Sequence, residues 1–173
     1  LLGSAAGDDF GYIAASAHYG PESRGGLPYS ELVLARPVRG PEDPQGPKGL
    51  TSFPYPYAEL PGILVLMHQK AYEYTLKHPD VFPRSGTRTS KSPEYIIYDS
   101  TLIDKVDVLS VKLTAVPATR LARENFNNIV MANLILLGAL VKATGIVTPD
   151  ALLSALKSNQ ADAKQAIELG FTI

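Results

Sequence analysis

Thirteen consecutive residues, Ile129 to Val141, contain one polar side chain, Asn133. This run is too short to cross a bilayer, which takes about 20 residues. It reads as a helix buried on all sides within a larger core, stopping at Gly145. A buried amide needs partners, so Asn133 is expected to tie that helix to a loop or to another subunit. Gly138, in the same run, suits a close contact between helices. Such a helix needs layers around it, and the rest of the chain supplies candidates.

Gly62–Met67 is continuously apolar, the pattern of a parallel strand covered on both faces. Glu94–Tyr98 is a second run of this kind, and Val106–Leu113 alternates like a third. Phe10–Ala17 and Ser30–Ala35 also read as strands. Helices are predicted over Lys70–Lys77, Thr119–Glu124 and about Gln160 to Leu169, the last ending at Gly170. Asn125, Asn127 and Asn128 interrupt the second of these. Thr148-Pro149-Asp150 has the residues of a helix start: a capping threonine, proline at the first position, and an acid at the positive end. Strands alternating with helices imply an α/β fold, a mostly parallel sheet between helical layers with a helical C-terminal part. At 173 residues, 45% of them hydrophobic, the chain suits one domain with a sizeable core.

Two segments stand outside this pattern. From Pro37 to Pro61 there are seven prolines, too many for a helix or inner strand, and the segment reads as a long loop or arm. Leu1–Gly7 looks like the last turns of a helix ending at a glycine, so further residues are expected upstream.

The formal charge of −1 gives no sign of a nucleic-acid partner. No secretory signal opens the chain, which leaves the cytoplasm as the default compartment. Cysteine is absent. This chain therefore offers no thiolate to an iron–sulfur cluster, a zinc site or a disulfide. The three histidines are scattered, and neither an acid pair nor a phosphate-binding glycine loop is visible. No catalytic residue is expected here.

Tyr19–Gly26 is the densest functional signal. Gly25 and Gly26 let a backbone approach a ligand closely, and Arg24 adds a guanidinium suited to phosphate. The simpler reading of the residues is a structural turn with a surface arginine. Ser23 and His18 have no visible catalytic partner. His68-Gln69 and Asp99-Ser100-Thr101 follow predicted strands, where open α/β sheets place ligands. Polar residues there also serve as caps for the next element.

Four blocks in order resemble the gamma subunit of the pyruvate/2-oxoacid:ferredoxin oxidoreductases. They are Tyr19–Gly26, Leu64–Ala71, Val116–Ala122 and Ala132–Leu140, with Ala163 to Gly170 similar to that family's closing helix. The resemblance implies a Rossmann-like layer within a complex that oxidatively decarboxylates a 2-oxoacid on thiamine diphosphate, yielding acyl-coenzyme A. Thiamine diphosphate, Mg²⁺ and the [4Fe-4S] clusters are then expected on the alpha, beta and ferredoxin-like delta subunits. It also implies that Ser23, Arg24, Gly25 and Gly26 approach coenzyme A or the subunit interface. Two departures stand out. Family members begin with a strand and a Gly-x-Gly-Gly-Gln-Gly turn, whereas this sequence starts beyond it. The stretch from Pro37 to Pro61 also exceeds the family's usual connection. A purely architectural docking module is the competing reading, and an independent flavodoxin-like nucleotide binder is a third.

Overall fold

The computed structural model describes residues 1–7, 10, 12–18, 29–35, 61–77, 93–108, 111–157 and 159–173. Its centre is a parallel sheet of three strands in the order β3 (Ile63–Leu66), β4 (Tyr95–Asp99), β5 (Lys112–Val116). Ile97 pairs with Val65 and Thr114 in register, and Asp99 with Val116 at the far end. Successive residues of β4 serve opposite faces. Ile97 belongs to a core shared with the C-terminal helices, whereas Ile96 packs with Leu66, Tyr72, Ile103 and Val106 on the other face. Both isoleucines are fully buried. The continuous apolar run thus becomes a central strand with a helical layer on each side.

The layer on the Ile97 side is built from α1 (Leu2–Ala5), α3 (Ala118–Phe126), α4 (Ala132–Thr144), α5 (Pro149–Ser154) and α6 (Ala161–Phe171). On the other side lie α2 (Gln69–Lys77) and the segment after β4. Tyr72 joins these two, its hydroxyl accepting from the Asp107 backbone N–H at 2.9 Å. This bond explains where the sequence misleads. Of the strand expected over Val106–Leu113 only Lys112 and Leu113 lie in β5, while Val106 packs in the core without strand structure and Asp107 is exposed. The described ladder begins at Lys112, six residues later than expected.

The first two strands also differ from a simple reading. β1 (Tyr12–His18) and β2 (Tyr29–Ala35) pair antiparallel with each other, from Tyr12↔Ala35 to His18↔Tyr29, in a sheet of their own.

Helix ends follow the sequence more closely. Thr148 caps α5, its Oγ1 accepting from Ala151 N at 3.2 Å, with Pro149 at the first helical position. Thr148→Ala is expected to lower stability by about 1 kcal/mol in urea unfolding. Gly145 ends α4 with φ 61°, and Asn127 ends α3 with φ 50°. α4 is not buried on all sides. Ile135, Leu136 and Gly138 through Val141 are buried, but Asn133 lies exposed in the first turn. The expected buried amide is therefore a surface residue.

Gly138 does make the close contact its position suggests. An added Cβ there would lie 2.2 Å from the Ile167 carbonyl oxygen. Gly170 does not end α6 but lies within it, and a Cβ there would lie 2.2 Å from the Ile135 carbonyl oxygen. The two helices cross backbone against backbone at this glycine pair.

Near the amino edge of the sheet, Lys112 Nζ donates to Tyr95 Oη at 2.9 Å and Glu94 Oε1 at 3.0 Å, bridging β4 and β5. Those two bonds, Tyr95 first, raise its pKa above the ordinary lysine value.

Candidate functional site at the carboxyl edge of the sheet

The three parallel strands end side by side, and each passes into a polar segment. These are Met67-His68-Gln69 after β3, Ser100-Thr101 beyond Asp99 of β4, and Pro117-Ala118-Thr119-Arg120 after β5. Open α/β sheets bind ligands at such an edge.

His68 is exposed and caps α2. Its Nδ1 accepts from Lys70 N at 3.1 Å, and its carbonyl accepts from Ala71 N and Tyr72 N. The bonded nitrogen is an acceptor, so any ring proton in this arrangement sits on Nε2. Gln69 Nε2 donates to Glu73 Oε1 one helical turn on, at 3.3 Å. Both residues act as local caps and braces.

Asp99 is more unusual. It is fully buried, and three donors converge on its carboxyl oxygens. Thr101 N donates to Oδ1 at 3.0 Å, while Thr119 donates to Oδ2 through both its backbone N–H, at 3.0 Å, and its hydroxyl. Its backbone carbonyl accepts from Leu102 N and Ile103 N. A proline before the helix leaves α3 without a side-chain cap of its own, and Asp99 supplies an acceptor from a different strand. An acid at a helix N-terminus also complements the helix dipole. The next free N–H is taken as well, since Arg120 N donates to Thr101 Oγ1 at 3.2 Å.

Between β4 and α3 the edge is thus closed by its own hydrogen bonds. The first-turn donors at Thr119 and Arg120 in α3, which would otherwise suit an anion, are occupied by protein acceptors. Asp99, surrounded by donors, is not placed as a general base, because such a base must reach a substrate proton. Among the described residues no three His, Asp or Glu side chains come together in a way that could hold a metal ion. Iron–sulfur clusters held by thiolates do not fit a chain without cysteine.

Sequence reasoning had marked Asp99-Ser100-Thr101 as either ligand site or cap, and the cap is found. It did not foresee that the capped helix would be α3, reached across the sheet. The Tyr19–Gly26 block with Ser23, Arg24, Gly25 and Gly26 lies outside the described residues, as does residues 37–60 of the proline-rich stretch. The block connects two strands whose ends, His18 and Tyr29, are paired.

Similarity to known proteins narrows the reading. A family model described as pyruvate ferredoxin/flavodoxin oxidoreductase matches residues 1–173. The 2-oxoglutarate synthase subunit KorC of Methanothermobacter thermautotrophicus is 31% identical over 148 residues, covering 86% of this chain and 68% of that protein. Two solved structures share the fold. The gamma subunit of a keto/oxoacid ferredoxin oxidoreductase from Geobacter sulfurreducens superposes with a TM-score of 0.65 at 23% identity, over 99% of this chain and 85% of that one. The pyruvate oxidoreductase subunit PORC from Thermotoga maritima gives 0.58 at 21% identity, over 99% and 84%. With the ordered motifs and the parallel sheet, these matches carry one conclusion: the chain belongs to the pyruvate ferredoxin/flavodoxin oxidoreductase family.

Proposed function

We propose that this chain, a subunit of a 2-oxoacid:ferredoxin oxidoreductase complex, acts there as a single non-catalytic gamma-type domain that gives structural support. The observation that carries this reading is the closed carboxyl edge of the sheet. There Asp99, Thr101 and Thr119 satisfy one another, and the exposed His68 caps α2 through Nδ1. The complex would decarboxylate a 2-oxoacid on thiamine diphosphate, passing the acyl group to coenzyme A and electrons through iron–sulfur clusters to ferredoxin. Those cofactors would sit on the alpha, beta and delta subunits, in the cytoplasm. No helix among the described residues is long and apolar enough to cross a membrane.

Within that frame, the segment proposed to approach coenzyme A is Ser23-Arg24-Gly25-Gly26. Coenzyme A brings phosphates, and a guanidinium beside two glycines can meet them with charge and with backbone N–H groups. Arg24→Ala in the assembled complex should raise KM for coenzyme A by about tenfold, the scale of one lost charge-assisted hydrogen bond. It should leave KM for the 2-oxoacid unchanged. An unchanged KM for coenzyme A with weakened assembly would instead favour a docking role alone.

A further inference from the structure

The turn between α3 and α4 carries the most exposed large apolar side chains among the described residues. Ile129 is 57% exposed and Val130 65%. Four hydrogen bonds hold this turn in place. Asn127 N donates to Arg123 O and Asn128 N to Ala122 O, which folds the turn back on the last turn of α3. Asn128 Oδ1 accepts from Val130 N at 3.1 Å, and its carbonyl accepts from Met131 N. The left-handed conformation of Asn127 fixes the reversal. Two apolar side chains are thus presented outward on a backbone already ordered, so binding them costs little further entropy. Contiguous exposed apolar groups mark sites of protein contact, and Ile129 and Val130 are adjacent on a fixed frame.

The surroundings bear on the partner. Arg123 lies on the helical turn that supports this knob, and Arg120 one turn earlier; both are exposed. Neither guanidinium has an acidic partner among the described residues. Glu124 is the only acid on α3. A second copy of this chain docking through the same patch would bring these arginines together across a two-fold axis, and like charges there oppose association. An acidic rim would complement them.

We propose that Ile129 and Val130 insert into an apolar pocket, rimmed by Asp or Glu, on another subunit of the same oxidoreductase complex. The inference rests on the assembly reading above and adds the surface through which assembly occurs.

The test uses the whole complex, purified through a tag on this chain. Val130→Asp should weaken retention of the other subunits by about thirtyfold, the effect of losing an interface anchor. Arg120→Glu with Arg123→Glu should weaken it too, and should reverse its dependence on salt, since salt screens the repulsion between the new acids and the acidic rim. A photoreactive benzoylphenylalanine at position 130 should cross-link to a different subunit, within a peptide containing acidic residues. Full retention by Val130→Asp, or cross-linking only within this chain or to a second copy of it, would overturn the inference and leave the assembly reading intact. A wild-type chain that elutes apart from the other subunits would sink both.

Discussion

Gly170→Ala should cost at least about 3 kcal/mol of stability, lowering the melting temperature by roughly 6–12 °C. Alanine is the better helix former by about 1 kcal/mol, so propensity alone predicts the opposite sign. Sterics decide the matter. The added methyl would lie 2.2 Å from the Ile135 carbonyl oxygen and 2.9 Å from the Ala139 nitrogen, both backbone atoms that no rotamer change can move. The helices must separate, which opens gaps around Ile135, Ala139, Ala166 and Ile167 in the main core. Gly138→Ala should behave the same way, its methyl meeting the Ile167 carbonyl oxygen. The double variant should cost less than the sum, because either change alone already forces the crossing apart. Urea unfolding of the two single variants and the double variant measures all three quantities.

The second large effect is expected at Asp99. Alanine there would leave Thr101 N, Thr119 N and the Thr119 hydroxyl without the acceptor they share. Each buried donor left unpaired costs about 1–3 kcal/mol. A total loss of about 4 kcal/mol, allowing for some relaxation toward water, would be enough to unfold a marginally stable domain. Asp99→Asn keeps an acceptor but turns an amide N–H₂ toward one of the donors, and should lose about half as much. Thr119→Val removes one donor along with its need for a partner and should cost about 1 kcal/mol. The order Asp99→Ala, Asp99→Asn, Thr119→Val in urea midpoints checks the assignment. Equal effects for the first and third would contradict it.

β3 and β4 were legible because each is a continuous apolar run, though only the central β4 is covered on both faces and β3, at the edge, leaves Val65 exposed. The start of α5 was legible because Thr148, Pro149 and Asp150 each act locally. β5 was not. Lys112, Leu113 and Ala115 are exposed, leaving Val116 as its one buried residue, while the upstream valines alternate for a different reason, packing beneath α2. Gly170 resembled a helix stop because glycine commonly is one. The signal for its actual role was the repeated Ile-x-x-Gly of Ile135–Gly138 and Ile167–Gly170, which sets matching glycines on two helices. Asn133 looked buried because its neighbours in sequence are apolar, but the first turn of α4 emerges from the core there. Asp99 was recognised as a polar strand end. Its partner Thr119 lies 20 residues on, and only the parallel pairing of β4 with β5 brings the two together.

The bonds among Asp99, Thr101 and Thr119 support the proposed role of this chain as a supporting part of its complex. The most direct measurement is purification of the complex through a tag on this chain, followed by native mass spectrometry and assay of 2-oxoacid-dependent electron transfer. The account predicts a fixed stoichiometry with cysteine-bearing partner subunits, activity in the complex, and none in this chain separated from it. Activity retained by the separated chain, or its elution free of any partner, would contradict the account.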